Sequence, residues 1–310
     1  MPIEIKCITP LEIKGGMNEV LTISGNGFGK QRGNNYVTFT NIETEKKFTA
    51  DQAKRFTYKN WSDTEITLLM PYAYSDKVII NIDDTEYLSE EILRVKANLY
   101  TKTSIGDYIL IDNNGQGGYT YFIHRSFYSN PEAIIAIEEV FKVLRRSTGV
   151  NFVLSKRPAC GEANWGNTRN LISPDKKPQC AYEYIDSGSC LNSGDTFIYA
   201  KNMSIGFNPN HNWFYGNGKA PKGWAKFRYA LMHELGHHVG LGHVNEKGQT
   251  MFPTVANDEA TVDSWCESDT FTSEEIEVMS SIVRNSQKIT FIGCGIKPMS
   301  IISNPDDIYV

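Results

Sequence analysis

Residues 233–243 read His-Glu-Leu-Gly-His-His-Val-Gly-Leu-Gly-His, an H-E-x-x-H-x-x-G-x-x-H pattern. At 3.6 residues per turn, helical positions i and i+4 lie about 40 degrees apart around the axis, so His233 and His237 point at one ion. A helix continuing through residue 243 would carry the last histidine away from that face. Gly240 tolerates positive φ and ends the helix sharply, which brings His243 back as a third ligand. Three neutral imidazoles leave the fourth position of a tetrahedral Zn²⁺ open to water, the mark of a catalytic rather than a structural site. Glu234 is placed to take a proton from that water and pass it to a leaving amine. One zinc ion lowers the pKa of its bound water towards about 7 and polarises the attacked carbonyl, so hydrolysis needs no covalent enzyme intermediate. His238, about 100 degrees around the axis from His237, is expected as a polar surface residue. His124 and His211 have no partners at ligand spacing and are read as ordinary.

These residues need elements to hold them. Trp224 to Met232 reads as the helix leading into the motif, and Gly248 to Pro253 as a tight turn with Met251 eight positions after His243. Thr272 and Glu275 form a capping box at the start of a later helix. Upstream, Pro131 to Arg146 places Ala133, Ile134, Ile137, Val140, Phe141 and Leu144 at helical spacing behind an Asn130-Pro131 start. Residues 151–154 and 196–199 read as strands. Between them, 157–194 holds three cysteines among many Gly, Asn, Asp and Pro, and is expected as a long surface loop pinned by crosslinks. Residues 1 to about 97 differ: runs at 20–24, 36–40, 64–70 and 77–82 are short, β-branched and separated by turn residues. That spacing predicts an antiparallel sandwich with no helix and a domain boundary near 97–102.

The whole chain narrows the class. Its 310 residues fit about two domains at roughly 150 each. Lys+Arg 31 against Asp+Glu 36 gives a net charge of −5, which argues against a phosphate-binding groove and so against nucleic acid. No run of about 20 apolar residues is present to span a membrane as a helix. The opening Met1-Pro2-Ile3-Glu4-Ile5 has no signal-peptide character, so either a leader is missing or the protein stays inside. Of the six cysteines, five lie after residue 155 and none forms a C-x-x-C pair. At least one disulfide, and with it a secreted or cell-surface location, is the expectation.

The three histidines, Gly240 and Met251 together resemble the metzincin metallopeptidases, and Phe227 to His243 with Met251-Phe252-Pro253 is most similar to the matrixin branch. Phe271 to Ile276 matches that branch's later helix. The resemblance covers about 119–285, with sharp motifs only over 227–253. It implies that Met251 forms the Met-turn beneath the metal. It also implies that Tyr229 and Pro253 belong to the S1′ substrate pocket, shortened by Tyr229 to favour medium apolar side chains. The strand at 202–208 would lie along the cleft and pair with extended substrate. Matrixins also carry structural zinc and calcium; no ligands for Ca²⁺ are readable residue by residue, and no zinc-blocking propeptide cysteine is found. Cys7 is read as structural. Separately, Ile8-Thr9-Pro10, Leu21 to Gly29, Val37-Thr38-Phe39 and Trp61 to Ile66 resemble the IPT/TIG immunoglobulin-like domains. Such a module contacts protein or glycan or acts as a spacer, and the spacer reading is preferred.

The expected architecture is therefore multidomain: an all-β immunoglobulin-like IPT/TIG sandwich over 1–97, then an α+β metzincin-type zincin domain over 98–310. The expected function is zinc-dependent endopeptidase action on protein or peptide substrates. Two alternatives stand beside it: a surface adhesin or binding protein with a vestigial zincin domain, and a zinc amidase acting on a non-protein substrate such as a cell-wall peptide.

Overall fold

The structure, a computed structural model, describes residues 2–41, 46–49, 58–99, 107–163, 169–175, 181–192, 195–246, 248–253, 270–289, 296–302 and 306. The chain divides into two units: Met1–Ser104 with Gly242–Glu246, and Ile105–Leu241 with Lys247–Val310.

The first unit is built from β1 (Glu4–Thr9), β2 (Glu12–Gly15), β3 (Val20–Asn26), β4 (Tyr36–Asn41), β5 (Lys46–Thr49), β6 (Tyr58–Trp61), β7 (Glu65–Leu69), β8 (Asp76–Ile82) and β9 (Thr85–Leu99). Strands fall where the β-branched runs at 20–24, 36–40, 64–70 and 77–82 predict them, and the described residues up to 99 include no helix. One sheet runs β1-β3-β7-β6; a second runs β9-β8-β4-β5, with β2 beside β9. Alternation aims Leu21 and Ile23 of β3 and Ile66 and Leu68 of β7 inward, as a half-buried strand requires. They join Val37, Val78, Ile80 and Val95 from the other sheet in one buried core. The short strand β18 (Leu241–Gly242) completes the second sheet next to β9.

The second unit contains β10 (Asp107–Ile109), β11 (Gly118–Ile123), α1 (Arg125–Tyr128), α2 (Pro131–Thr148), β12 (Asn151–Leu154), β13 (Asn170–Pro174), β14 (Ala181–Asn192), β15 (Asp195–Phe207), β16 (Trp213–Phe214), β17 (Ala225–Lys226), α3 (Phe227–His238) and α4 (Ser273–Lys288). Parallel pairing joins β12, β11, β13 and β15, and β10 to β15. Helix α2 starts with Asn130 accepting from the Glu132 and Ala133 amides ahead of Pro131, and stops at Gly149 with φ 73°. Its Ala133, Ile137, Val140, Phe141 and Leu144 are buried, and it packs on β12, α3 and α4.

Two expectations need correction. The stretch 157–194 is not one long loop: it supplies β13 and all of β14, which pairs antiparallel with β15 over its whole length. And 202–208 is not an open cleft strand, because β15 is paired on both sides, by β10 and β13 on one and by β14 on the other. β14 is the outermost strand on that side. Of the aromatics after it, Trp213 is buried: Phe207 stacks on Phe227 at 4.4 Å and meets Trp213 edge-on at 5.1 Å. Cys7 is exposed on β1, a free thiol like Cys160, while Cys190 is disulfide-bonded.

Candidate metal centre

Helix α3 carries His233, Glu234 and His237, all buried. The helix ends by the predicted device: Gly240 adopts φ 89°, a left-handed conformation that favours glycine, and a Cβ there would crowd the Ile282 side chain. Past this bend the chain returns as residues 241–243. The ligand atoms of His233, His237 and His243 all come within 4.8 Å of one another.

The outer ring nitrogens are committed elsewhere. His233 Nδ1 donates to the Thr250 carbonyl at 2.7 Å, and His237 Nδ1 donates to the Leu241 carbonyl at 2.9 Å. Each bond fixes a neutral ring with its Nε2 lone pair turned to the cluster, the state a metal ligand requires. Three such nitrogens gathered at this separation fit a small tetrahedral cation with bonds of about 2.0–2.1 Å and one position left over.

The turn that supplies the Thr250 carbonyl is itself tied down. Phe252 N–H donates to the Gln249 carbonyl at 3.2 Å, closing a tight turn around Met251. Tyr229, four positions before His233, donates its hydroxyl to the same carbonyl at 2.9 Å. Met251 is fully buried with its sulfur against α3 at Gly236, where a Cβ would come within 2.5 Å of Sδ. Its backbone N–H donates to the Glu275 carboxylate at 3.1 Å, and the Thr272–Glu275 capping box is present as predicted. Pro253 follows, half-buried.

Glu183 of β14 carries no motif and is the unforeseen member of the site. Its carboxylate, Glu234 and His237 form a second group with ligand atoms within 4.8 Å of one another. Burial, and after it the charge of and hydrogen bond with Glu183, push the Glu234 carboxyl well above the usual carboxylate range. The run Tyr182-Glu183-Tyr184-Ile185 carried the only sequence signal, that of a strand rather than of a site.

His238 is not on the surface. It is fully buried, its Nδ1 hydrogen-bonded with the Tyr121 hydroxyl at 2.5 Å and its ring 4.2 Å from Tyr119. Burial lowers its pKa to about 3, so it stays neutral. The reason is that α3 is enclosed on nearly every side rather than along one stripe. His124 caps α1 by accepting from the Ser126 amide, and His211 lies 6.0 Å from Trp213; neither joins the cluster.

Comparison with known proteins adds one family. Residues 172–272 match the model of the Peptidase_M10 family, described as Matrixin. No curated protein matches the chain. Among solved structures it is similar to a structural-genomics protein of unknown function from Bacteroides thetaiotaomicron VPI-5482, at 16% identity and a TM-score of 0.27, covering 34% of this chain and 25% of that one. It is also similar to an auxiliary nutrient binding protein from the same organism, at 16% identity and a TM-score of 0.25, covering 37% of this chain and 25% of that one. The chain thus spans 25% of the length of either. The matched span includes His233, Glu234, His237, His243 and Met251, and it supports a matrixin-like metallopeptidase domain there.

Proposed function

We propose that this chain is a secreted or cell-surface zinc endopeptidase of matrixin type, preceded by an immunoglobulin-like IPT/TIG module. The observation that carries this reading is the His233, His237 and His243 cluster with the buried Glu234 carboxyl beside it. His233 and His237 would hold zinc through Nε2, since their Nδ1 atoms serve backbone carbonyls, and His243 completes the set. When bound, the ion supplies Lewis-acid polarisation of the scissile carbonyl and makes water acidic enough to be deprotonated near neutral pH. Glu234 accepts the proton of the attacking water and hands it to the departing amine. Met251 braces the floor of the site through its contact at Gly236. The outer strand β14 offers extended substrate a backbone edge, which reads main chain more than side chains. The same strand carries Glu183, whose carboxylate lies beside the Glu234 carboxyl.

The test is hydrolysis of casein or gelatin by the purified chain with and without a chelator, alongside Glu234→Gln. The variant should keep its zinc and lose about 10²–10⁴-fold in rate, the usual contribution of a general base. Hydrolysis surviving in Glu234→Gln, or unaffected by chelation, would sink the mechanism. Tyr229 and Pro253 are assigned to the S1′ pocket, and a peptide library should then show medium apolar P1′ side chains cleaved best. A preference for large P1′ groups would remove Tyr229 from that role.

A further inference from the structure

The segment bearing the third histidine is fastened on both flanks by residues of the first unit. Gly242–Glu246 packs with Met1–Ser104. Asn98, fully buried near the end of β9, splits its two carboxamide N–H donors between the carbonyls of Ala73 and His243, each at 2.7 Å. Its own oxygen accepts from the Ala73 amide at 3.4 Å. On the far side of His243, Asn245 exchanges two bonds with the Ser75 backbone, donating to its carbonyl and accepting from its amide, both at 2.8 Å. The Ser75 hydroxyl in turn accepts from Val95 of β9 at 2.8 Å. Between the two anchors Val244 is fully buried. At Gly242 a Cβ would overlap the Tyr72 ring, so the backbone lies directly on that ring. Gly15 leaves the space that the Asn98 carboxamide fills, since a Cβ there would overlap Asn98 Oδ1. A carboxamide whose every bond is spent on buried backbone, in a pocket cleared by a glycine, fixes the height and tilt of one peptide group. That peptide group is the one leading out of His243.

We propose that Asn98 and Asn245 are positioning residues for His243, so that metal affinity depends on the hydrogen bonds these two side chains make. The inference rests on the zinc-hydrolase reading of the site. His233 and His237 are aimed by a helix and by the Thr250 and Leu241 carbonyls; His243 lies beyond the helix, where a ligand on a less constrained segment loses more ordering entropy when it binds. Bonds that orient a ligand from outside are worth about 10–100-fold in metal affinity.

The experiment uses the full chain, with zinc affinity read by competition against a colorimetric chelator and coordination read from the visible spectrum of the Co²⁺-loaded protein. Asn98→Ala and Asn245→Ala should each weaken zinc about 10-fold or more and alter the Co²⁺ bands. Asn245→Asp, which keeps the acceptor and loses the donor, should fall between Asn245→Ala and the unaltered chain. Lys96→Ala, which removes the partly exposed ion pairs to Glu246 at 3.4 Å and Glu12 at 3.3 Å, should change zinc affinity less than twofold. Should Asn98→Ala not fold, Asn245→Ala decides, because its side chain lies outside the sandwich core. Folded variants with unchanged zinc affinity and an unchanged Co²⁺ spectrum would overturn the proposal. If the unaltered chain binds no zinc, the enzymatic reading fails by itself, and amide hydrogen exchange over 242–246 judges the positioning: faster exchange in Asn245→Ala supports it, equal exchange overturns it.

Discussion

Glu275 is fully buried, and its carboxylate accepts from the Thr272 amide at 2.8 Å and the Met251 amide at 3.1 Å. Burial nevertheless raises its pKa to about 7, outweighing those bonds, which act to lower it. A carboxyl with a raised folded pKa favours the folded state in its protonated form. Its contribution to stability is complete below the unfolded value of about 4.3 and is lost as pH rises towards 7. Metal-free protein should therefore melt at lower temperature as pH climbs through that window, and Glu275→Gln should flatten part of the decline. Equal slopes for the two proteins, measured by calorimetry at several pH values, would contradict the assignment. At this scale the sequence was readable where spacing alone decides geometry: His233, His237, Gly240 and the Thr272–Glu275 box are all local patterns. It was unreadable where the partner comes from afar. Nothing local marks Asn98 as the donor to a carbonyl 145 positions on, nor tells that His238 meets Tyr121 rather than water.

Helix α3 shows how an element can be chosen for what presses on it rather than for its own stability. Glycine inside a helix costs about 1 kcal/mol relative to alanine, yet Gly236 sits between the two helical ligands. Its absent side chain admits the Met251 sulfur. Gly236→Ala should therefore destabilise the protein despite its better helix propensity, whereas in a Met251→Ala background the same change should be neutral or stabilise by up to about 1 kcal/mol. A double-mutant cycle from denaturant melts measures the coupling, and purely additive effects would deny the contact a role. The strand β14 was missed for a related reason. Its Gly188 looks like loop punctuation, but it stands opposite Tyr199 on β15, and a Cβ there would overlap that ring. Glycine under a cross-strand aromatic is a sheet feature, and local composition alone cannot distinguish it from a turn.

For the molecule as a whole, a ligand that binds only the folded chain must stabilise it by mass action. Zinc at 100-fold above its dissociation constant should add about 2.7 kcal/mol, visible as a rise of several degrees in melting temperature that a chelator reverses. A melting temperature indifferent to zinc would remove the metal from the native state. The boundary near 97–102 reads the chain as if it were cut once, but the first unit takes back Gly242–Glu246 after the chain has passed through most of the second. Such re-entry leaves no trace in composition, because the returning residues are too few to shift any local pattern.

That re-entry also sets an order of events. A ribosome delivers Tyr72, Ala73, Ser75 and Asn98 long before residues 242–246, so the first unit must wait with an unfilled groove for a segment made 145 positions after Asn98. Forming so non-local a contact is slow compared with local folding. The third histidine reaches its place only when that groove closes over Val244 and Asn245. The nascent chain therefore has a built-in delay: all three histidines emerge long after the groove residues of the first unit, and the last of them is set only when residues 242–246 are in place.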